Sequence, residues 1–271
     1  MLINWDDCNR FCSMRRFKCI VSYDGTAYVG WQSQCKKNSI QENIESVLKR
    51  ISKEDIKAVA AGRTDAKVHA YGQVIHFDTN FYLDANRWQW ALNGYLPKDI
   101  RIKSLEEVGD KFHARFSVKR KQYDYLINLG EYDVCLVNYA YQCRHVLNLE
   151  EMERASQVFV GKHDFSSFCA NSLEQFPNQV REIESIVFSR NKDILTISYR
   201  GKGFLRYMVR MLTATLIEVG RGRLTAEDVL EMLEARDKDI CKHNAEPQGL
   251  YLMKIEYNEN EENPLEIIEN D

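Results

Sequence analysis

Gln122-Tyr123-Asp124-Tyr125-Leu126-Ile127-Asn128 is the stretch on which the reading of the fold turns. Tyr123, Tyr125 and Ile127 recur every second residue, the period of a β-strand that buries one face. Beyond it the chain predicts a helix over Leu149–Val160, led by Asn148 and Glu151, and strands Ile183–Phe188 and Leu195–Tyr199 joined by Arg190–Asp193. A mostly apolar helix over Phe204–Val219, a capped surface helix over Thr225–Ala235 and a closing strand Leu250–Tyr257 follow. The same order precedes it. Phe17–Ser22 reads as a strand, Asp24–Gln34 as a loop rich in Gly and aromatics, and Ser39-Ile40-Gln41-Glu42 as a capping box. Ile40, Ile44, Val47, Leu48 and Ile51 mark the apolar face of the helix it opens. Strands Ile56–Ala60 and Gly72–Phe77 flank the loop Ala61–Tyr71; a helix Ala85–Tyr95 stops before Pro97, and strand Ile100–Val108 ends the half. Two β-α-β-β-α-β halves of ferredoxin-like order predict an α+β fold. Their sheets are expected to join into one mixed, mainly antiparallel sheet, with helices on one side and an open groove on the other. The halves are expected at 14–110 and 111–257, between an N-terminal extension 1–13 and an acidic tail 258–271. Met14 could itself serve as a start.

Of the 271 residues, 44% are apolar and 28% charged, a balance that excludes intrinsic disorder and fibrous repeats. The longest apolar stretches, such as Met211–Ile217, fall far short of the ~18–20 residues of a membrane span. No signal-peptide pattern opens the chain, and the expected compartment is the cytoplasm. Cysteines at 8, 12, 19, 35, 135, 143, 169 and 241 include no Cys-x-x-Cys pair, so reduced, mostly buried thiols are expected. The formal charge is −3, but residues 256–271 hold seven acids and no base; without them 37 bases face 33 acids. Lys111–Tyr125 carries five bases against one acid, and Tyr199–Arg223 six against one. Both interleave bases with aromatics, among them Phe112, Phe116, Tyr123, Phe204 and Tyr207. Cations hold phosphates and rings stack on bases, so Arg115, Lys119, Arg120, Lys121 and Arg206 are candidate RNA contacts.

The sharpest segment is Gly62-Arg63-Thr64-Asp65-Ala66-Lys67-Val68-His69-Ala70, between two expected strands. An Asp in such a turn commonly bonds local backbone N–H groups. Its reference pKa of ~3.9 also leaves it ionised at neutral pH, available as a nucleophile or base. No second carboxylate stands at close spacing, which argues against a glycosidase acid–base pair. No His and carboxylate cluster builds a metal site, and His69 and His76 are read as lying on opposite sides of a Gly-containing turn. Neither metal nor cofactor is expected.

Tyr23-Asp24-Gly25-Thr26-x-Tyr28-x-Gly30-Trp31-Gln32, Ser39-x-Gln41-Glu42, Gly62-Arg63-Thr64-Asp65-Ala66, Val68-His69-Ala70 and Gly72-Gln73-Val74 occur in one order. Phe112-His113-Ala114-Arg115-Phe116-Ser117, Tyr123-x-Tyr125, His163-Asp164-Phe165, Phe204-x-x-x-Met208-Val209-Arg210 and Pro247-x-Gly249-Leu250-Tyr251-Leu252 continue it. In order and spacing, over about residues 15–257, these motifs resemble the TruA family of tRNA pseudouridine synthases (pseudouridine synthase A). The resemblance implies the pseudouridine synthase fold, a homodimer, and cofactor-free isomerisation of uridine in transfer RNA. The implied target lies at roughly positions 38–40 of the anticodon stem-loop, where a stacked base must be extruded before its glycosidic bond can be reached. It also implies roles: Asp65 as catalytic aspartate, Tyr123 against the target base, and Arg210 as partner of the aspartate. Arg63 would assist base extrusion and Leu250 would line the pocket.

Plainer readings stand beside these. Tyr123 on a strand could be core, and Arg210 on an apolar helix needs a carboxylate partner whatever its role. Trp31, Tyr28 and Phe116 are read as packing residues, His163-Asp164-Phe165 as a capped helix end, and Cys143-Arg144-His145 and Cys169 as structural. Two departures from the family pattern matter. Lys67 stands where the family ordinarily has Gly, which implies either an ordinary backbone there or local strain, and adds a cation with a possible phosphate contact. Asn171–Val180 holds no base and carries Glu174 where RNA-facing cations are expected. The competing functions are the same isomerisation on ribosomal RNA or another structured RNA, and a catalytically silent RNA-binding factor. A metal-dependent nuclease would need a carboxylate cluster.

Overall fold

Alternation at Tyr123, Tyr125 and Ile127 does build a strand in the computed structural model, which describes residues 14–32, 38–172, 174 and 176–258. The extension 1–13, the tail beyond 258 and Cys8, Cys12 and Cys35 lie outside the described residues. The fold class is α+β, in two compact units: residues up to Lys119 with those from Ile255 on, and Arg120–Lys254. Among the described residues no helix is long and apolar enough to cross a membrane.

The first unit runs β1 (Arg15–Tyr23), α1 (Ile40–Ser52), β2 (Val59–Ala60), β3 (His69–Thr79), α2 (Ala85–Tyr95) and β4 (Ile100–Val108). Its strand order is β4-β1-β3-β2, antiparallel throughout, the ferredoxin-like arrangement the sequence implies. The Ser39 hydroxyl accepts from the Glu42 N–H at 3.2 Å and starts α1, and Asp84 caps α2 in the same way through the Arg87 N–H. Ile40, Ile44 and Leu48 bury one face of α1 completely. Phe17 opposite Phe77 in the β1–β3 register and Trp88 of α2 pack at ring separations of 5.5 and 5.4 Å. Each such fully buried side chain contributes roughly 1.5–3 kcal/mol of transfer free energy.

The second unit contains β5 (Val118–Asn128), β6 (Tyr141–Gln142), α3 (Leu149–Ser156), β7 (Gly161–Asp164), β8 (Val180–Asn191), β9 (Ile194–Gly201), α4 (Met208–Gly220), α5 (Ala226–Ala235) and the start of β10 (Leu250–Tyr257). Its order is β10-β5-β9-β8-β7, antiparallel from β5 to β7, with β6 added in parallel at the end of β5. Thr225 and Asp228 form a reciprocal capping box on α5.

Several expectations need correction. His69 and His76 lie on one strand, because β3 pairs with β1 on both sides of an irregularity at Tyr71–Gly72, and the buried Gly72 stays within the strand. The strand expected over Ile56–Ala60 shrinks to Val59–Ala60, the residues that reach β3. The helix after Phe204 begins only at Met208, because Tyr207 is in the left-handed region at φ 63° and breaks the turn before it. The helix from Leu149 ends at Ser156 and tightens into a 3-10 turn, Gln157–Phe159. His163 and Asp164 belong to edge strand β7, not a helix end; Asp164 accepts from the Ser166 N–H and hydroxyl at 2.9 and 2.6 Å.

Candidate active site

The Asp65 loop leaves β2 and is clamped before it enters β3. The Gly62 carbonyl accepts from the buried Gln73 amide at 2.8 Å, and the Thr64 hydroxyl meets the Tyr23 hydroxyl at 2.8 Å. Burial pushes the Tyr23 phenol up to about 12, so it remains a neutral hydrogen-bonding group. From the other side, the loop after β1 lies across it. The Trp31 N–H donates to the Thr64 carbonyl at 3.0 Å, and the Lys67 N–H to the Tyr28 carbonyl at 3.2 Å. The Gly25 N–H donates to Nδ1 of buried His69 at 3.1 Å. Gly30, at φ +104°, brings its α-carbon so close that a Cβ would lie 2.5 Å from the Thr64 carbonyl oxygen. The outcome is a rigid backbone presenting a half-buried Asp65 between exposed Arg63 and Lys67. A carboxylate held this way is positioned for attack or proton removal without reorganisation.

Lys67 adopts φ +64°, the left-handed region in which a Cβ is strained, so strain is the alternative that holds. Lys67→Gly is therefore expected to raise stability by about 1 kcal/mol, the relief of strain outweighing the looser unfolded chain. A thermal melt checks this, and a destabilised variant would mean that the Lys67 side chain contributes packing that outweighs the strain.

In the second unit, Tyr123 on β5 is buried and its ring meets Phe204 edge-on at 5.2 Å. Arg210, at the start of α4, donates from Nε to the Ala245 carbonyl at 2.7 Å, while the Ala245 N–H donates to the Arg210 carbonyl at 3.1 Å. The buried Tyr125 hydroxyl donates to the Glu246 carbonyl at 2.7 Å. Gly249 presses on β5, where a Cβ would lie 2.8 Å from the Tyr125 ring, and this close approach seats buried Leu250. The segment Ala245–Gly249 thus joins Arg210 of α4 to Tyr125 of β5 and leads directly into Leu250, the first residue of β10. The Tyr207 ring lies under both Arg206 and Arg210, each 4.9 Å from its centroid. Nearby, a cavity of about 430 Å³ is lined by Tyr207, Cys169, Lys238, Lys242 and His243 among others.

Of the remaining candidates, Arg115 and Lys119 are exposed, Lys121 is half-buried in β5, and Arg120 is ion-paired with Glu184. Phe116 is not a packing residue: its ring is exposed, whereas Trp31 and Tyr28 are buried as expected. Cys19, Cys143, Cys169 and Cys241 are buried and Cys135 exposed; burial raises the Cys143 and Cys169 thiols above their usual range. Among the described residues no group of three or more His, Cys, Asp or Glu could hold a metal ion.

A buried histidine to which the sequence reading gave no role supports the turn His113–Ser117. His76 Nδ1 accepts from the Ala114 N–H at 3.1 Å, its ring stands 4.7 Å from that of His113, and Arg16 pairs with Asp78 beside it. Desolvation, then the Arg16 charge, lower the His76 pKa from 6.5 to about 4. The unfolded chain takes up this proton near 6.5 and the folded chain only near 4, so stability is lost as pH falls through that window. With allowance for solvent screening, the loss is roughly 2 kcal/mol. Denaturant unfolding at several pH values should show this slope shrink in His76→Gln; an unchanged slope would assign it elsewhere.

Comparisons with known proteins give the family. The family model described as tRNA pseudouridine synthase matches residues 19–117 and 155–258, and the chain belongs to that family. Proteins called tRNA pseudouridine synthase A are similar over nearly their whole length. The one from Exiguobacterium sp. is 45% identical over 90% of this chain and 98% of its own. That of Geobacillus sp. is 43% identical over 90% and 98%, and that of Bacillus subtilis 41% over 89% and 99%. Among solved structures, a chain of the archaeal box H/ACA sRNP Nop10–Cbf5 complex is a distant likeness, with TM-score 0.34 and 11% identity over 86% of this chain and 58% of that one.

Proposed function

We propose that this chain isomerises uridine to pseudouridine in transfer RNA, in the anticodon stem-loop at roughly positions 38–40, after extruding the target base from the stack. The observation that carries the reading is the clamped Asp65 loop in a chain whose tRNA pseudouridine synthase A relatives align over almost all of both lengths. In the reaction the N1–C1′ bond breaks, a C5–C1′ bond forms, C5 gives up its proton and N1 gains one, with no net oxidation. Asp65 supplies the carboxylate that acts as nucleophile, at C1′ or C6, or removes a ribose proton. Arg210 supplies the counter-charge that keeps it ionised. Tyr123 packs on the target base and offers its hydroxyl near C5, Leu250 lines the pocket, and Arg63 assists extrusion. Lys67, Arg115, Lys119, Arg120, Lys121 and Arg206 are assigned to the RNA backbone, which makes binding salt-dependent. The enzyme is placed in the cytoplasm as a homodimer. The exposed apolar residues Val134, Val137, Tyr139 and Val146, close together in sequence, support a surface for a second copy.

The test is tritium release from RNA labelled at uracil C5, using purified protein without added metal and transcripts of transfer and ribosomal RNA. Release from transfer RNA supports the reading and leaves the position to be mapped. Release from ribosomal RNA alone keeps the chemistry and overturns the substrate. Tight binding without release from either would favour a silent RNA-binding factor.

A further inference from the structure

Phe116 is 77% exposed, although it sits in the same short motif as fully buried Ala114 and Phe112. An isolated phenyl on a mobile loop would fold against neighbouring surface to leave water. The turn prevents this. The Ser117 N–H donates to the His113 carbonyl at 3.0 Å, and the His113 N–H donates to the Ser117 hydroxyl at 3.2 Å. His113 Nδ1 accepts from the N–H groups of both Arg115 and Phe116, at 3.1 and 3.3 Å. Ala114 ties the turn to the core at both its backbone groups: its N–H reaches His76, and its carbonyl accepts from the buried Tyr257 hydroxyl at 2.7 Å. The His113 ring then stacks on one face of Phe116, with centroids 4.3 Å apart and planes at 30°. Because its Nδ1 lone pair is committed to two backbone donors, this imidazole supports the ring as a neutral group.

The surroundings indicate what the ring meets. Lys111, Arg115 and Lys119 are exposed, the Arg115 guanidinium lies 5.9 Å from the Phe116 centroid, and no acid occurs from Lys111 to Tyr123. A pinned aromatic ring among unbalanced cations suits a ligand that carries both flat rings and negative charge.

We propose that Phe116 is a stacking platform for an unpaired base of the RNA substrate, other than the isomerised uridine, with Arg115 and Lys119 on the flanking phosphates. The proposal rests on the reading of this chain as a transfer RNA-modifying enzyme. Stacking of one base contributes binding that is tolerant of sequence and insensitive to salt, unlike phosphate contacts.

The experiment uses the full chain and an unmodified transfer RNA transcript. Binding is titrated over a salt series and single-turnover tritium release is followed at saturating RNA, for wild type, Phe116→Ala, Phe116→Leu, Phe116→Trp and Arg115→Ala. Phe116→Ala and Phe116→Leu are expected to weaken binding by on the order of tenfold or more with the salt slope unchanged. Phe116→Trp should bind as wild type does, and Arg115→Ala should reduce the salt slope by about one. The Phe116 variants should keep the wild-type rate at saturation and the wild-type melting temperature, since the ring is exposed. Wild-type affinity in Phe116→Ala, or in Phe116→Leu, would overturn the platform. So would a shift of Phe116→Ala from dimer to monomer in sedimentation, which would assign the ring to a second copy of the chain. If the wild-type chain binds transfer RNA without isomerising it, the enzymatic reading fails, while the stacking proposal is still decided by the binding titration.

Discussion

Asp65→Asn is expected to abolish tritium release, by at least ~10³-fold, while transfer RNA binding and the folded state persist. The amide has the shape of the carboxylate but neither its charge nor its lone-pair basicity, so it cannot attack carbon or take a proton. The backbone of the loop does not depend on the change. Val68 donates to the Asp65 carbonyl, Trp31 to that of Thr64, and Lys67 donates to Tyr28, all through main-chain groups. Single-turnover assays with excess enzyme separate lost chemistry from lost binding. A variant that keeps more than about a tenth of the wild-type rate would remove Asp65 from the chemical step and send the search to another group on the same loop.

Gly25→Ala is expected to cost about 3 kcal/mol or more and to lower turnover ~100-fold in whatever protein remains folded. The added Cβ would lie 2.1 Å from the Val68 carbonyl oxygen, 2.6 Å from its carbon and 3.0 Å from the carbonyl carbon of Lys67. All three are main-chain atoms, so no side-chain rotation relieves the clash, and the Asp65 loop itself must move. Gly94 on α2 provides the contrast, since nothing lies within 4 Å of its Cβ position. Gly94→Ala should stabilise by ~0.5–1 kcal/mol through helix propensity. Melting curves of the two variants, with turnover of each, check both. Equal melting temperatures would mean that the two loops are not in the close contact described.

Much of the architecture was legible because local periods and caps carry it. The bounds of α2, β4 and β10 coincide with the patterned stretches Ala85–Tyr95, Ile100–Val108 and Leu250–Tyr257. Thr225 opens its helix with the expected cap. The misreadings share a cause: they concern residues whose local preference a distant partner overrides. Gly72 resembles a turn, but pairing with β1 on either side of it keeps it in β3. Phe204 continues an apolar helical pattern, yet left-handed Tyr207 delays the start of that helix to Met208 and Phe204 packs on Tyr123 instead. Phe116 looks like core by type and is carried outward by a turn fastened to His76 and Tyr257.

The order of the strands and helices other than β6 and β7, the family, and the loop on which the candidate carboxylate stands are all legible in the amino-acid order. Periodicity, capping residues and motif spacing are properties of neighbours along the chain, so they can be read there. The folded chain is needed to see that Gly25 and Gly30 clamp the Asp65 loop, that Lys67 is strained, that His76 stays neutral down to about pH 4, and that Phe116 faces water. Those properties depend on close approach and desolvation between residues far apart in sequence, and packing alone sets which of them meet.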